Sequence, residues 1–371
     1  MADLLLSSPA VLGGDDALRP GWVRLLGDGS VAEIGDGPPP GTPDLESAYL
    51  CPAFVDIHCH GGGGFGFATT DPAEAVAATE AHRTHGTGSL LASLVTAPVD
   101  ELLAQVRALV PLVAEGVLTG LHLEGPWLSP QHAGAHDPRW LTPPRPEDLE
   151  RLLAAADGHL RMVTLAPELP GALDTIPLLT RRGVTVAVGH TDADEVVLRA
   201  AVEAGARVVT HLANAMRPIH HRSPGPVPAA LADARLTVEL IADGVHVHPD
   251  VLGLLTRAAR CRVALVTDAM PAAGAPDGSY RLGSREVVVS GGVARLPGDE
   301  ALAGSTLTMD RAVRTAVAGG LPVASALASA TRLPAQAVGL GRPGPGVPPG
   351  TLGPGATVLA LDEGLRLQPR P

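Results

Sequence analysis

The chain has 371 residues, of which 45% are apolar, and a formal net charge of −12. This length and apolar content suit one large barrel or two ordinary domains, and they argue against a disordered chain. The acidic charge argues against a nucleic-acid binder, because no basic stripe is available to displace phosphate counterions. No signal peptide or stretch of transmembrane length is found, and three unpatterned cysteines suit a reducing compartment. We therefore predict a cytoplasmic protein with no membrane or nucleic-acid partner.

Two residue types are nearly absent. The chain has no lysine, so all 27 basic residues are arginines, and it has one asparagine, Asn214. The absence of lysine excludes Schiff-base catalysis, Walker-type phosphate binding and a metal bridge made from a carboxylated lysine. In so biased a composition, we expect the single asparagine to stand where its amide is needed.

Both ends of the chain are predicted to be β-rich. Residues 1–50 contain short β segments at 3–6, 21–26 and 31–34, separated by Gly, Pro and Asp turns. Residues 357–361 and 365–367 are similar and follow a Gly/Pro-rich linker, 341–355. The pattern predicts a small β-sandwich domain built from both termini, residues 1–50 and 341–371, around a central domain of residues 51–340.

The central domain alternates apolar strand-like runs with amphipathic helical stretches. Strands are predicted at 53–57, 89–95, 120–123, 161–166, 185–188, 207–210, 237–241 and 263–266, with helices at 72–85, 100–115, 146–156, 171–182, 193–204 and 249–260. Eight such units favour a TIM (β/α)8 barrel, because parallel strands need helical crossovers. A doubly wound open sheet is the alternative. A β-hairpin insertion near 277–303 and two helices, 308–319 and 322–338, complete the domain.

Metal-capable side chains follow five of the predicted strands. They are His58 and His60 after the first strand, Glu124 after the third, His190 after the fifth, His211 after the sixth and Asp268 after the eighth. In a barrel these strand ends open on one mouth, so we expect the side chains to converge. Cys59, between the first two histidines, should point away from them, because alternate residues of a strand face opposite sides.

The types of ligand limit the metals and suggest the roles of the residues. Imidazole and carboxylate without thiolate suit Zn, Fe, Mn or Co in an open catalytic site, with one or two ions per subunit. One ion would be held by Glu124, His190 and His211, and a second by His58 and His60 together with a bridging Glu124. Asp268 is then a general base that takes a proton from a metal-activated water and returns it to a leaving amine.

A second cluster indicates recognition of an anionic substrate. Asn214 and Ala215 follow the sixth strand, and Arg222 comes soon after. Arginine offers bidentate donors that match phosphate, although a surface salt bridge explains Arg222 equally well. His136, on a Gly/Pro-rich loop after the third strand, is a further polar donor. Asp243, after the seventh strand, is either a site residue or the cap of a helix near residue 249.

The chain resembles the N-acetylglucosamine-6-phosphate deacetylases of the amidohydrolase superfamily. The matching segments, in family order from residue 52 to 309, are PAFVDIHCHG, GLHLEGPWLSPQHAGAHDP, VGHTDAD, THLANAM, HHRSPG, ADGVHVHP, LVTDAM and LAGSTLTM. The resemblance implies an amide hydrolase of amino-sugar catabolism that converts N-acetylglucosamine 6-phosphate to glucosamine 6-phosphate and acetate. It implies metal ligands at Glu124, His190 and His211, the catalytic acid/base at Asp268, and substrate contacts at Ala135, His136, Asn214, Ala215, Arg222, His246, Leu302, Ala303 and Gly304.

The resemblance also bears on assembly and on the second ion. It implies a homodimer or homotetramer in which Arg222 reaches the phosphate site of the neighbouring subunit. Some members lack the first histidine pair and use one metal, whereas this chain has both His58 and His60. Ala213 stands where members often have Phe. The alternatives are another amidohydrolase acting on N-acyl amino acids or related amides, a base deaminase, or a sugar-phosphate sensor without activity.

Overall fold

The computed structural model describes residues 3–340 and 347–370. Its strands are β1 (Leu4–Leu12), β2 (Leu18–Leu25), β3 (Val31–Asp36), β4 (Leu45–Glu46), β5 (Tyr49–Pro52), β6 (Phe54–Cys59), β7 (Gly61–Gly62), β8 (Phe65–Gly66), β9 (Thr87–Val95), β10 (Gly120–Glu124), β11 (Leu160–Leu165), β12 (Thr185–Val188), β13 (Val208–Val209), β14 (Thr237–Ile241), β15 (Arg262–Val266), β16 (Gly278–Leu282), β17 (Arg285–Ser290), β18 (Val293–Arg295) and β19 (Val358–Leu361). Its α-helices are α1 (Pro72–Arg83), α2 (Val99–Ala114), α3 (Pro146–Ala156), α4 (Ala172–Arg181), α5 (Glu195–Ala204), α6 (Pro226–Ala232), α7 (Pro249–Ala258), α8 (Met309–Ala318), α9 (Val323–Ser329) and α10 (Arg332–Ala337).

Eight parallel strands form the central barrel. They pair in the order β6, β9, β10, β11, β12, β13, β14 and β15. Strand β6 meets β15 through a parallel bridge between Cys59 and Ala269, and the Asp268 N–H donates to the His58 carbonyl at 2.8 Å. The TIM barrel prediction is confirmed, and the open doubly wound sheet is wrong. All C-terminal strand ends consequently face one mouth.

Both termini contribute to a second sheet of six strands. Its order is β19-β5-β1-β2-β3, with β4 paired to β1. The sheet packs a small apolar cluster that includes Leu6, Val23 and Val358. The prediction of a strand at 365–367 is wrong, because those residues form only an isolated bridge, Leu361 with Leu367. Residues 341–346 of the predicted linker lie outside the described residues.

Three local features differ from the sequence prediction. The insertion is a three-stranded sheet, β16-β17-β18, with one strand more than the predicted hairpin. The predicted helix 322–338 is two helices, because Pro334 has no N–H and its ring would clash with the carbonyl four residues earlier. Helix α6 was not predicted. Its Pro226 and Pro228 are tolerated in the first turn, where N–H groups have no helical partner.

Helix lengths also bear on membrane insertion. Within residues 3–340 and 347–370, none of the helices combines the length and the apolar character that a membrane crossing requires.

Candidate active site

Three polar side chains enter the barrel mouth through the same backbone geometry. His190, His211 and Asp268 are each the second residue after a strand, β12, β13 and β15 respectively. Their φ angles are 47°, 27° and 48°, in the left-handed region that non-glycine residues rarely adopt. The turn directs each side chain toward the barrel axis, where all three are buried. The strand ends therefore bring them together as the sequence predicted.

Glu124 is the centre of this cluster. Its carboxylate oxygens lie within 3.5 Å of five imidazole Nε2 atoms, at 3.4 Å from His58, 3.2 Å from His60, 3.2 Å from His136, 3.3 Å from His190 and 3.2 Å from His211. Asp268 Oδ1 lies 3.5 Å and 3.3 Å from the Nε2 atoms of His58 and His60. One carboxylate thus joins the two histidine groups that the sequence assigned to separate ions.

Hydrogen bonds on the far side of the rings fix the tautomers of three histidines. Nδ1 of His60 lies 3.0 Å from the Ser93 carbonyl, and Nδ1 of His190 lies 2.8 Å from the His132 carbonyl. A carbonyl only accepts, so both Nδ1 atoms carry a proton, and Nε2 is the nitrogen that each ring can offer to a metal at the mouth. His58 is held in the same way, by the carboxylate of Glu239, which lies 3.0 Å from its Nδ1.

Close contacts between the inward ring nitrogens make this donor set suitable for a metal ion. Nε2 of His58 lies 3.1 Å from Nε2 of His60, and Nε2 of His190 lies 3.0 Å from Nε2 of His211. Facing lone pairs repel unless a proton or a cation lies between them. Three nitrogens or more around a shared carboxylate form the set that Zn, Fe, Mn and Co accept. The residues therefore fit the metal centre predicted from the sequence.

His136 has the opposite tautomer. Its Nδ1 accepts a hydrogen bond from the Thr96 N–H at 3.2 Å, so its proton is on Nε2, which faces Glu124. An imidazole with its proton on the inward nitrogen is a hydrogen-bond donor and is no ligand in this form. This contact separates His136 from the metal-ligand candidates, and its role as a polar donor to the substrate stays a prediction.

Burial and charge set the ionisation of the site. Burial opposes the charged form of Glu124, but the charge on His58 holds the pKa of Glu124 well below its ordinary range. Asp268 is also buried, and the same histidine lowers the pKa of Asp268. Burial lowers the pKa of His190 to about 4. Ionised carboxylates beside a neutral imidazole are the protonation states that metal binding and general-base catalysis require.

A cavity of about 380 Å³ lies over the cluster. Its lining includes seven of the predicted substrate residues: Ala135, His136, Asn214, Ala215, His246, Leu302 and Gly304. Asn214 also donates from Nδ2 to the carbonyls of His211 and Leu212, at 3.2 and 3.4 Å, and so braces the turn that carries a ligand candidate. Ala303 differs, because its side chain is buried in an apolar cluster next to the cavity.

Arg222 does not reach the cavity of its own chain. It is exposed on the loop after β13, and the residues lining the cavity do not include it. His246 does line the cavity, and its Nδ1 lies 2.7 Å from Asp243. Asp243 also accepts from the N–H groups of residues 245 and 246, so it orients His246. The alternative that it caps the helix near residue 249 is wrong, because His248 is the N-cap of α7.

Sequence reasoning missed Glu239, the carboxylate that holds His58. It lies inside β14, is fully buried, and accepts both from His58 Nδ1 at 3.0 Å and from the His211 N–H at 3.2 Å. It therefore connects both histidine groups without facing the cavity. Its signal in the sequence was a lone acid within the apolar run 237–241, where a buried charge needs a partner.

A further group of metal-type side chains, Asp56, Cys59 and His82, lies outside the cavity. Asp56 accepts from the Thr267 hydroxyl at 2.6 Å, and His82 Nε2 lies 2.9 Å from the Gly61 carbonyl and 3.2 Å from Cys59 Sγ. These contacts are internal hydrogen bonds that support the strands carrying the ligand candidates. Cys59 is buried away from its two neighbours, as predicted.

The fold and the site together define a (β/α)8-barrel hydrolase with a candidate metal centre of imidazole and carboxylate at the C-terminal mouth. The sequence profile of the Amidohydrolase family matches residues 49–345. The chain belongs to the amidohydrolase family, in agreement with the resemblance of its motifs.

Individual relatives are similar over most of the chain. The N-acetylgalactosamine-6-phosphate deacetylase of Escherichia coli O157:H7 is 40% identical over 360 residues, which cover 94% of this chain and 93% of that protein. The N-acetylglucosamine-6-phosphate deacetylase of Vibrio furnissii is 38% identical over 298 residues, 78% of this chain and 74% of that protein. A solved structure of a mutant N-acetyl-D-glucosamine-6-phosphate deacetylase from Mycobacterium smegmatis, in complex with N-acetyl-D-glucosamine-6-phosphate, is 44% identical, with a TM-score of 0.92 and coverage of 99% and 97%.

Proposed function

We propose that the protein hydrolyses the N-acetyl group of N-acetylglucosamine 6-phosphate, giving glucosamine 6-phosphate and acetate in amino-sugar catabolism. The observation that carries the proposal is the convergence of Glu124, four inward imidazoles and Asp268 beneath a cavity with polar recognition groups. The similarity to deacetylases of 6-phosphorylated N-acetyl amino sugars supports this substrate class. The N-acetylgalactosamine epimer is a second candidate, because the 40% identical relative is named for it.

The residues proposed to hold metal form two groups around Glu124. His190 and His211 would bind one ion with Glu124, and His58 and His60 would bind a second ion with the same carboxylate. A divalent ion at this position polarises the amide carbonyl and acidifies the attacking water. Zn, Fe, Mn and Co all accept this donor set.

The remaining steps use side chains of this chain. Asp268 is ionised and lies beside the cluster, so we assign it as the base that takes a proton from the attacking water. As the carbon–nitrogen bond breaks, Asp268 returns that proton to the amine. His136 carries its proton on the inward Nε2, and this N–H is a donor for the carbonyl oxygen as negative charge develops there.

One assay tests the proposed reaction. Purified protein supplied with each metal in turn is incubated with N-acetylglucosamine 6-phosphate, N-acetylgalactosamine 6-phosphate and an N-acetyl amino acid, and release of acetate and of free amine is measured. We expect equal acetate and amine from a phosphorylated sugar. Turnover of the N-acyl amino acid alone would favour the other amidohydrolase activity. An absence of turnover with every metal would contradict catalysis and favour a sensor.

Arg222 is proposed to bind the substrate phosphate in a neighbouring subunit of a homodimer or homotetramer. The proposal rests on its exposure outside the cavity of its own chain. We expect Arg222→Ala to raise KM for the phosphorylated sugar about 10–100-fold, the value of a charge-assisted contact, and to leave KM for unphosphorylated N-acetylglucosamine nearly unchanged. Arg199→Ala, an exposed arginine on α5, is the control. Equal effects of Arg222→Ala on both sugars would contradict the phosphate role.

Glu239 is expected to determine the occupancy of the second ion. Glu239→Gln removes the charge that fixes the His58 tautomer, and loss of such a partner weakens metal affinity about 10–100-fold. Metal equivalents per subunit, measured by mass spectrometry after dialysis against limiting metal, should fall toward one. The reference is His58→Gln/His60→Asn, which should lose about one equivalent with partial activity. Unchanged affinity in Glu239→Gln would contradict the role of this carboxylate.

A further inference from the structure

A second, larger cavity lies beside the catalytic one. Its volume is about 700 Å³, against about 380 Å³ for the catalytic cavity. The two cavities share three lining residues: His60, Val95 and Leu282. The apolar side chains of Val95 and Leu282 are therefore the partition between the two spaces, next to a proposed metal ligand. We call this pair the septum and the larger space the side chamber.

The septum is held in place by the insertion sheet. Val95 ends β9 and Leu282 ends β16, and both belong to one apolar cluster with Val287 and Met270. Gly283 follows at φ 54°, and a Cβ built there would lie 2.6 Å from Val95 Cγ2. The turn after β16 therefore packs directly on Val95, which only a residue without a side chain permits.

The septum faces the predicted sugar side of the mouth. In the barrel order, β9 and β13 are four strands apart and lie on opposite walls. Asn214 and Ala215 follow β13, and His246 follows β14, so these three recognition groups line the wall opposite Val95, while His136 follows β10 beside it. If the sugar contacts Asn214 and His246 and the amide carbonyl lies over Glu124, the acyl group extends toward β9 and Val95.

We infer that the septum sets the length of the acyl group that the enzyme removes, and that the side chamber is the space into which a longer acyl chain would extend. The inference rests on the proposed function. The reaction is unchanged in kind: water adds to the carbonyl carbon, the carbon–nitrogen bond breaks, and a carboxylate and an amine leave. A methyl group ends before Val95 and Leu282, whereas a longer chain meets them.

The test measures kcat/KM for the N-acetyl, N-propionyl, N-butyryl and N-hexanoyl forms of glucosamine 6-phosphate. Wild-type activity should fall on the order of tenfold or more for each added methylene, the scale on which a pocket discriminates such groups. Val95→Ala, Leu282→Ala and the double variant should raise the butyryl-to-acetyl ratio of kcat/KM by at least about tenfold. Val95→Ile, which adds bulk, should lower the propionyl-to-acetyl ratio.

The matched control is Val289→Ala/Leu296→Ala. Both residues are buried in the same apolar cluster, but neither lines either cavity, so their truncation weakens the cluster without opening the septum. Its acyl ratios should match those of the wild type. Unchanged ratios in all septum variants, or a wild type that hydrolyses the butyryl substrate as fast as the acetyl one, would overturn the inference. An inactive wild type on the acetyl substrate would instead contradict the proposed function.

Discussion

Asp268→Asn should lower kcat by about 10²–10⁴-fold, the usual contribution of a general base, while metal content stays near that of the wild type. Asparagine has nearly the same size but cannot take a proton from water. Asp268 lies 3.3 Å from His60 Nε2 and 3.5 Å from His58 Nε2, at the edge of the proposed ligand set. Steady-state kinetics and metal analysis on the same protein sample separate the two roles.

The control for this variant is Asp250→Asn. Asp250 is 94% exposed at the start of α7 and does not line the cavity, so its variant should keep wild-type kcat. Activity of Asp268→Asn within about tenfold of the wild type would contradict the general-base assignment. Loss of metal together with activity would instead make Asp268 a ligand.

Glu124→Gln should abolish binding of both ions and lower activity by at least about a thousandfold. The carboxylate faces five imidazoles, and glutamine would replace one of its negatively charged oxygens by an N–H group that cannot bind a metal. Loss of the ion removes several kcal/mol of charge stabilisation in the transition state, and each 1.36 kcal/mol is a factor of ten in rate. Calorimetric titration with Zn²⁺ or Mn²⁺ measures the lost binding directly.

Thermal unfolding gives a second readout of Glu124→Gln. Added metal should raise the Tm of the wild type, because an ion that binds only the folded state stabilises it, and should leave the Tm of the variant unchanged. Glu203→Gln is the control, since Glu203 is 70% exposed in a surface ion pair with Arg235. A variant that retains two ions would contradict the assignment of Glu124 as the shared ligand.

The sequence was sufficient to predict both the barrel and its candidate ligands. The strands follow from the regular alternation of apolar runs and helices, and the ligands from the polar residues at the strand ends. Apolar runs separated by amphipathic helices identified all eight barrel strands, and one polar residue after each of several strands gave the ligand candidates. These signals are local in sequence. Short segments were harder, as α6 shows, because Pro226 and Pro228 are typical of loops and are tolerated only in a first helical turn.

Contacts between distant residues were not predictable in the same way. Glu239 lies 181 residues from His58 in sequence, and the hydrogen bond between them depends on the closed order of the strands. The tautomer of His136 follows from the position of the Thr96 N–H, which no motif encodes. The septum likewise joins β9 to the insertion sheet, so its apolar residues could not be told apart from ordinary core.

The left-handed turns at His190, His211 and Asp268 place the active-site side chains at the expense of folding stability. A non-glycine residue in this region costs on the order of 1–3 kcal/mol, and glycine would relax the backbone at each position while removing the ligand or base. Selection for folding stability alone would therefore replace these three residues first. On that account, the centre persists only as long as selection acts on its chemistry.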